Sequence, residues 1–158
     1  RGFIFIGLMN CNGEPYVIEY NCRLGNPDTD VVIPRIKSDL LDLLEGVGKQ
    51  NLHEKSFEVI NETATTVVLV SGGYPEDYEK GKPVKGLDTV KESQVFHSGT
   101  VLKGEDILTS GGRVFAITSF SNNIKGAIDK SMKAAQQVQY DKKYYRKDIG
   151  QDLINWTS

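Results

Sequence analysis

Glu19, Asn21 and Arg23 occupy alternate positions in the run Tyr16-Val17-Ile18-Glu19-Tyr20-Asn21-Cys22-Arg23. On a strand, residues two apart project from the same face, so these three side chains share one. Glu19 and Asn21 bring a carboxylate and an amide carbonyl. Both are hard oxygen donors of the kind Mg²⁺ takes together with substrate phosphates. Arg23 adds a rigid planar fork that matches a carboxylate or a phosphate. The same three positions also read as a solvated strand face carrying a surface ion pair.

The remaining polar groups point less firmly to chemistry. No nucleophile elbow, Walker loop or complete G-x-G-x-x-G occurs. His53 and His97 lack a second His or Cys at metal-ligand spacing, which argues against a zinc site. Cys22 alternates away from Glu19 and reads as a small apolar filler. Ser71-Gly72-Gly73-Tyr74 reads as a turn, with an anion-binding nest as the alternative. Lys80, Lys82 and Lys85 lie among Glu76, Asp77 and Glu79, so a solvated loop fits better than a phosphate patch. Lys142, Lys143, Arg146 and Lys147 flank Tyr144 and Tyr145, the composition of an RNA-stacking surface. The charge of the whole opposes that reading. Lys+Arg 19 against Asp+Glu 21 leaves -2, which argues against a nucleic-acid or anionic-membrane partner.

The elements that must position Glu19 begin with a strand over residues 3–9, apolar enough to be buried. Asn12-Gly13 suits a type I′ turn, and residues 16–22 return as the partner strand. A two-residue turn sets Glu19 opposite Ile6 and Asn21 opposite Ile4. Residues 23–30 have loop composition, and Pro34 interrupts any helix begun by Val31, Val32 and Ile33. Ser38 is the expected N-cap of a helix with Asp39 in its first turn. Its apolar stripe is Leu40, Leu41, Leu43, Leu44 and Val47, and Gly46 and Gly48 mark its end.

Residues 49–62 are polar and mixed, the expected boundary between two units. Strands follow at Thr63–Val70 and around 95–102 and 113–120, with turns at Gly104 and Gly111-Gly112. A helix from about Asn123 to Tyr140 buries Ile124, Ala127, Ile128, Ser131, Ala135 and Val138. The whole is an α+β chain of 158 residues, 39% hydrophobic and 25% charged, within the globular range. No run approaches the ~18 apolar residues of a membrane span. Two cysteines and no signal-peptide core fit a reducing, cytoplasmic setting. The sequons at Asn61-Glu62-Thr63 and Asn155-Trp156-Thr157 then read as chance. Since Arg1 is followed at once by mid-sheet strand composition, the chain reads as the C-terminal piece of something longer.

The segment Val17-Ile18-Glu19-Tyr20-Asn21-Cys22-Arg23-Leu24-Gly25-Asn26-Pro27-Asp28-Thr29 closely resembles glycinamide ribonucleotide synthetase, the phosphoribosylamine–glycine ligase of the ATP-grasp superfamily. That family reads E-F-N-x-R-x-G-D-P-E-T-Q, then proline-arginine and S-D-L-L. Pro34-Arg35 and Ser38-Asp39-Leu40-Leu41 fall in the matching places. The likeness continues through Ser71-Gly72-Gly73-Tyr74-Pro75-Glu76-Asp77-Tyr78-Glu79-Lys80-Gly81-Lys82-Pro83 and closes at Tyr144-Tyr145-Arg146-Lys147-Asp148-Ile149-Gly150.

The resemblance implies that Glu19 and Asn21 are metal ligands for Mg²⁺ or Mn²⁺, with ATP as cosubstrate. It implies that Arg23 faces the carboxylate and phosphate being joined. Asn26 and Asp28 fall in the loop assigned to substrate binding, where Asn26 replaces the usual Asp, Asp28 the usual Glu and Asp30 the usual Gln. Asn26 thereby loses a charge in the loop. The acidic metal ligand that many ATP-grasp enzymes place on the preceding strand has an apolar counterpart near Ile6.

The implied reaction joins glycine to 5-phosphoribosylamine through glycyl phosphate, giving glycinamide ribonucleotide, ADP and phosphate. Residues 1–50 would end the ATP-grasp domain, as a last hairpin and helix. Residues 51–158 would form a C-terminal α+β domain with a mainly antiparallel sheet and packing helices. The partners implied are the missing N-terminal and ATP-grasp domains of the same chain, without which the piece is expected to be inactive. Another ATP-grasp carboxylate–amine ligase, a biotin-carboxylase relative or a non-catalytic binding module are the alternatives.

Overall fold

The computed structural model describes residues 1–154. The sequon at 155–157 lies outside them. The chain divides into two compact units, Arg1–Ile60 and Asn61–Ser158.

The first unit opens on an antiparallel hairpin, β1 (Phe5–Cys11) and β2 (Glu14–Asn21). Asn12 and Gly13 both hold positive φ, 56° and 95°, as a two-residue turn of this kind requires. The Asn10 side-chain oxygen accepts from Gly13 N at 2.8 Å. Near the turn, Met9 pairs with Tyr16 and Leu8 with Val17, in the register expected of that turn. The register then shifts, so Gly7 pairs with Glu19 and Phe5 with Asn21. Ile18 is the extra residue of a β-bulge, which moves each pairing expected for the site by one. The strand expected to be buried is mostly exposed: Ile4, Ile6, Leu8 and Met9 all face solvent, with Ile4 at 75%. Its apolar composition marks strand, but a ribbon of two strands cannot bury its own faces.

Short helix α1 (Thr29–Val32) runs into a 3-10 turn at Ile33–Arg35 that contains Pro34. Helix α2 (Leu40–Lys49) is capped by Asp39, whose carboxylate accepts from Leu41 N at 2.8 Å and Asp42 N at 3.2 Å. Ser38, the expected cap, instead accepts from Glu58 N at 2.8 Å. The helix passes through Gly46 and Gly48 and stops at Gln50, which takes a left-handed φ of 64°. Gly46 is there for close packing: a Cβ would meet Lys55 Cγ at 3.0 Å and Leu52 Cα at 3.3 Å. Leu40, Leu43, Leu44 and Val47 line an apolar cavity of about 250 Å³ with Phe3, Ile36, Leu52 and Phe57. Leu41 faces solvent, outside the stripe expected to hold it. Residues 51–60 belong to this unit: Val59 bridges Ile36, and Lys55 pairs with Asp42 at 2.5 Å. The division therefore falls ten residues beyond the expected 50/51.

The second unit is built on β3 (Thr63–Ser71), β4 (Gln94–His97), β7 (Arg113–Ser121) and β8 (Lys143–Tyr144), in the order β4-β7-β3-β8. Strands β5 (Thr100–Lys103) and β6 (Asp106–Thr109) form a separate hairpin. Every named pairing is antiparallel. The single strand expected over 95–102 is two, β4 and β5, and β6 and β8 carried no strand signal of their own. Ser98-Gly99 makes the corner, where Gly99 packs too closely on Gly111 and the Arg113 carbonyl to carry a Cβ.

Helix α3 (Ile124–Gln137) is capped by Asn123, which accepts from Gly126 N at 2.8 Å. It buries Ala127, Ile128, Ser131, Ala134 and Ala135, much as the sequence periodicity predicts. Val67, Leu69, Val114, Phe115, Ile117, Val138 and Tyr140 complete the core. Polar groups inside it are paired. Ser131 Oγ meets Thr65 Oγ1 at 2.9 Å and Ser119 Oγ at 2.8 Å, and the Tyr140 hydroxyl donates to Val70 O at 3.0 Å. Burial pushes the Tyr140 phenol well up. Among the described residues, no helix is long and apolar enough to cross a membrane.

Candidate metal and phosphate site

Beyond the bulge, Glu19 and Asn21 lie on one face of β2, opposite Gly7 and Phe5 of β1. Directly paired residues share a face, so all four positions do. Glu19 needs Gly7 there: a Cβ on residue 7 would stand 3.1 Å from Glu19 Cγ and 3.6 Å from Phe5 Cε1. The carboxylate stem therefore lies across the glycine. Its side chain is exposed, as a group that meets a ligand must be.

Asn21 is half-buried, and its Nδ2 is enclosed without a hydrogen-bond partner. A half-turn of the amide exchanges its oxygen and nitrogen, so either end can occupy that spot. Two oxygen donors on one face fit Mg²⁺ or Mn²⁺, with the remaining positions left to substrate oxygens and water. Among the described residues, no three His, Cys, Asp or Glu side chains gather into a closed cage. A site shared with a nucleotide needs none. Arg23 follows the strand end, where one guanidinium nitrogen donates to Leu24 O at 2.8 Å. Its other donors remain for an anion.

The Gly25–Asp28 loop approaches the same face. Gly25 is buried, and a Cβ on it would collide with the Asp28 carboxylate and stand 2.9 Å from Phe5 Cε2. Thr29 N and Oγ1 donate to Gly25 O at 3.1 and 2.7 Å, closing the loop. Asp28 precedes α1 without capping it through its side chain, and Asn26 is exposed. Phe5, Gly7 and Gly25 were not singled out by sequence reasoning. Gly7 in a strand did carry a signal, because a strand glycine marks close approach of another group.

The other candidate groups have structural work. Gly73, at φ 102°, turns the chain, and Tyr74 N donates to Ser71 O at 3.0 Å. A Cβ on Gly112 would strike the Tyr74 ring, so the G-Y-P motif is packing. Lys82 pairs with Glu79 at 2.5 Å and Asp141 at 3.2 Å, and Lys142 pairs with Glu79 at 2.5 Å. Those two lysines lower the Glu79 carboxyl to about 2.

The basic cluster is absorbed likewise. Lys143 donates to the Ala135 and Val138 carbonyls at the end of α3, and Arg146 grips Asp148. Burial lowers the Lys143 ammonium. His97 bonds Thr100 Oγ1 at 2.8 Å and meets Phe115 edge-on. Cys11 and Cys22 are free and exposed, so Cys22 is no core filler: its stretch of hairpin has no core beside it.

Comparison with known proteins agrees with the motif reading. The phosphoribosylamine–glycine ligase of Chlorobaculum tepidum is 42% identical over 152 residues, covering 94% of this chain and 36% of the relative. That of Neisseria meningitidis serogroup B is 40% identical, covering 98% and 37%. The crystal structure of the Thermotoga maritima phosphoribosylamine–glycine ligase superposes with a TM-score of 0.76 at 32% identity, covering 94% and 37%. The chain thus spans little more than a third of the length of these relatives. A family model described as phosphoribosylglycinamide synthetase, C domain, matches residues 64–152, more than half the chain, and the protein belongs to that family.

Proposed function

We propose that these 158 residues serve as the C-terminal part of a cytoplasmic ligase chain that joins glycine to 5-phosphoribosylamine at the expense of ATP. The observation that carries this is Glu19 and Asn21 on one strand face, with Arg23 at its end, in a chain of this family. The first unit contributes the closing hairpin of the ATP-grasp domain, and the second is the C-terminal domain. The missing domains of the same chain supply the nucleotide clamp and most of the amine site.

Glycine's carboxylate is a poor electrophile until one oxygen carries phosphate. That oxygen attacks the γ-phosphorus of ATP, ADP leaves, and glycyl phosphate forms. The phosphoribosylamine nitrogen then attacks the activated carbonyl and phosphate departs. The chemistry that Mg²⁺ or Mn²⁺ would supply when bound is charge neutralisation during phosphoryl transfer. Glu19 and Asn21 would hold that cation. Arg23 pairs with the carboxylate and phosphate as they approach, where a planar fork orients both. Asn26 and Asp28 border the amine. No Ser-His or Cys-His pair is needed, because both leaving groups are phosphates.

The test is ADP release that requires both glycine and phosphoribosylamine in the complete chain carrying this segment, with the 158-residue chain assayed in parallel. Turnover in the complete chain alone is expected. ADP release independent of glycine, or micromolar ATP binding by the 158-residue chain, would overturn the proposal.

A further inference from the structure

We infer that Phe5 is a positioning residue that holds the Glu19–Asn21 face and the Gly25–Asp28 loop in one arrangement. The inference rests on the reading of that face as the metal and phosphate site. Phe5 pairs with Asn21 across the hairpin, so the two side chains share a face. One ring edge, Cε1, lies 3.6 Å from the Cβ position of Gly7, beside the Glu19 stem. The opposite edge, Cε2, lies 2.9 Å from the Cβ position of Gly25, which also abuts the Asp28 carboxylate.

Two glycines therefore receive the two edges of one ring, and each glycine neighbours a carboxylate assigned to the site. The neighbouring alternate positions of β1 contrast with this. Ile4, Ile6 and Leu8 are exposed, whereas Phe5 and Gly7 are half-buried. The ring is thus the local packing element between metal ligands on β2 and the substrate loop that follows it. A flat side chain can serve both contacts at once, and a branched aliphatic one cannot span them. Displacement of either group by a fraction of an ångström would register in ligand affinity, since a misplacement of about 1 Å can cost ~10²-fold.

The experiment uses the complete chain with Phe5→Leu, Phe5→Tyr, Asp28→Asn and the Phe5→Leu/Asp28→Asn double variant. Mn²⁺ affinity in the presence of ADP is read by electron paramagnetic resonance, and KM and kcat are read separately. Phe5→Leu is expected to weaken Mn²⁺ binding and to raise the amine KM, each by about tenfold. Phe5→Tyr, which keeps both ring edges, should restore both. The double variant should be little worse than Phe5→Leu, because the ring and Asp28 act on one contact. A Phe5→Leu enzyme that melts earlier, yet keeps Mn²⁺ affinity and KM within about twofold, would overturn the inference, as would fully multiplicative effects. Failure of the ligase reading shows differently, as an unsubstituted chain without glycine-dependent ADP release. The Mn²⁺ titration then still decides the role of Phe5.

Discussion

The stem of Glu19 lies across Gly7, with its Cγ only 3.1 Å from the place a Cβ on residue 7 would take. The bulge at Ile18 creates this relationship, because in the unbulged register Glu19 would oppose Ile6. A β-bulge re-aims side chains near a functional site in this way. Gly7→Ala should therefore shift the carboxylate by a few tenths of an ångström without unfolding the hairpin. The expected cost is about tenfold in apparent metal affinity of the complete enzyme, less than a full 1 Å misplacement brings. Metal titration of kcat checks it, and an unchanged metal requirement would mean the carboxylate does not act from across Gly7.

The Ser131 hydroxyl joins α3 to β3 and β7 through Thr65 and Ser119. Ser131→Ala leaves buried hydroxyls short of a partner, which should cost about 1–3 kcal/mol. Urea denaturation of the 158-residue chain should be cooperative for the second unit, with a slope of roughly 1–3 kcal/mol/M. A shift of the midpoint below experimental error would remove the hydroxyl network from the account of stability.

Glu79 ties the loop after β3 to the segment after α3 through Lys142, and Lys82 of the same loop pairs with both Glu79 and Asp141. Its carboxyl is lowered from 4.5 to about 2, first by the hydrogen bond from Lys142, then by that from Lys82. A depressed acid stabilises the fold above its unfolded value and loses that contribution as pH falls toward the folded value. The stability gap between the parent and Glu79→Gln should thus be full above about pH 5 and vanish near pH 2. Glu79 and Lys142 are solvent-exposed, so added salt should narrow the gap. Equal stability of the two proteins at pH 7 would contradict the tie.

Much of the second unit was legible in the sequence because its signals are local and mutually consistent. A run of β-branched residues, Thr65 to Val68, marks β3, and three- and four-residue steps mark the buried side of α3. The short strands β6 and β8 were not legible, since their pairing is set by neighbours rather than by composition, nor was the Gly99 corner that divides the expected 95–102 strand into β4 and β5. In the first unit, Asn12-Gly13 announced its turn, but the bulge carried no sequence signal and displaced the expected partners of Glu19 and Asn21. The E-x-N-x-R spacing brought Glu19 and Asn21 forward as candidate ligands, and the structure sets both on one strand face. Spacing alone could not show that Phe5 and Gly25 pack beneath them, because that contact joins residues twenty positions apart in sequence. The lysine-rich stretches, read as a solvated loop and as a cluster unsuited to nucleic acid, could not show their partners: Lys82, Lys142 and Lys143 pair with Glu79, Asp141 and the end of α3.

The most direct measurement compares kcat of Glu19→Gln and Glu45→Gln in the complete chain at saturating ATP and Mg²⁺. Glu45 sits on the exposed side of α2, paired with Lys49 at 3.0 Å, and its change should be silent. Glu19→Gln keeps the shape but removes one negative charge from the face proposed to hold the cation. Contacts that strengthen as phosphoryl charge develops act mainly on kcat. The predicted loss is ~10²–10³ in kcat, with glycine KM little changed. Equal kcat for the two variants would contradict the account and return Glu19 and Asn21 to a solvated strand face.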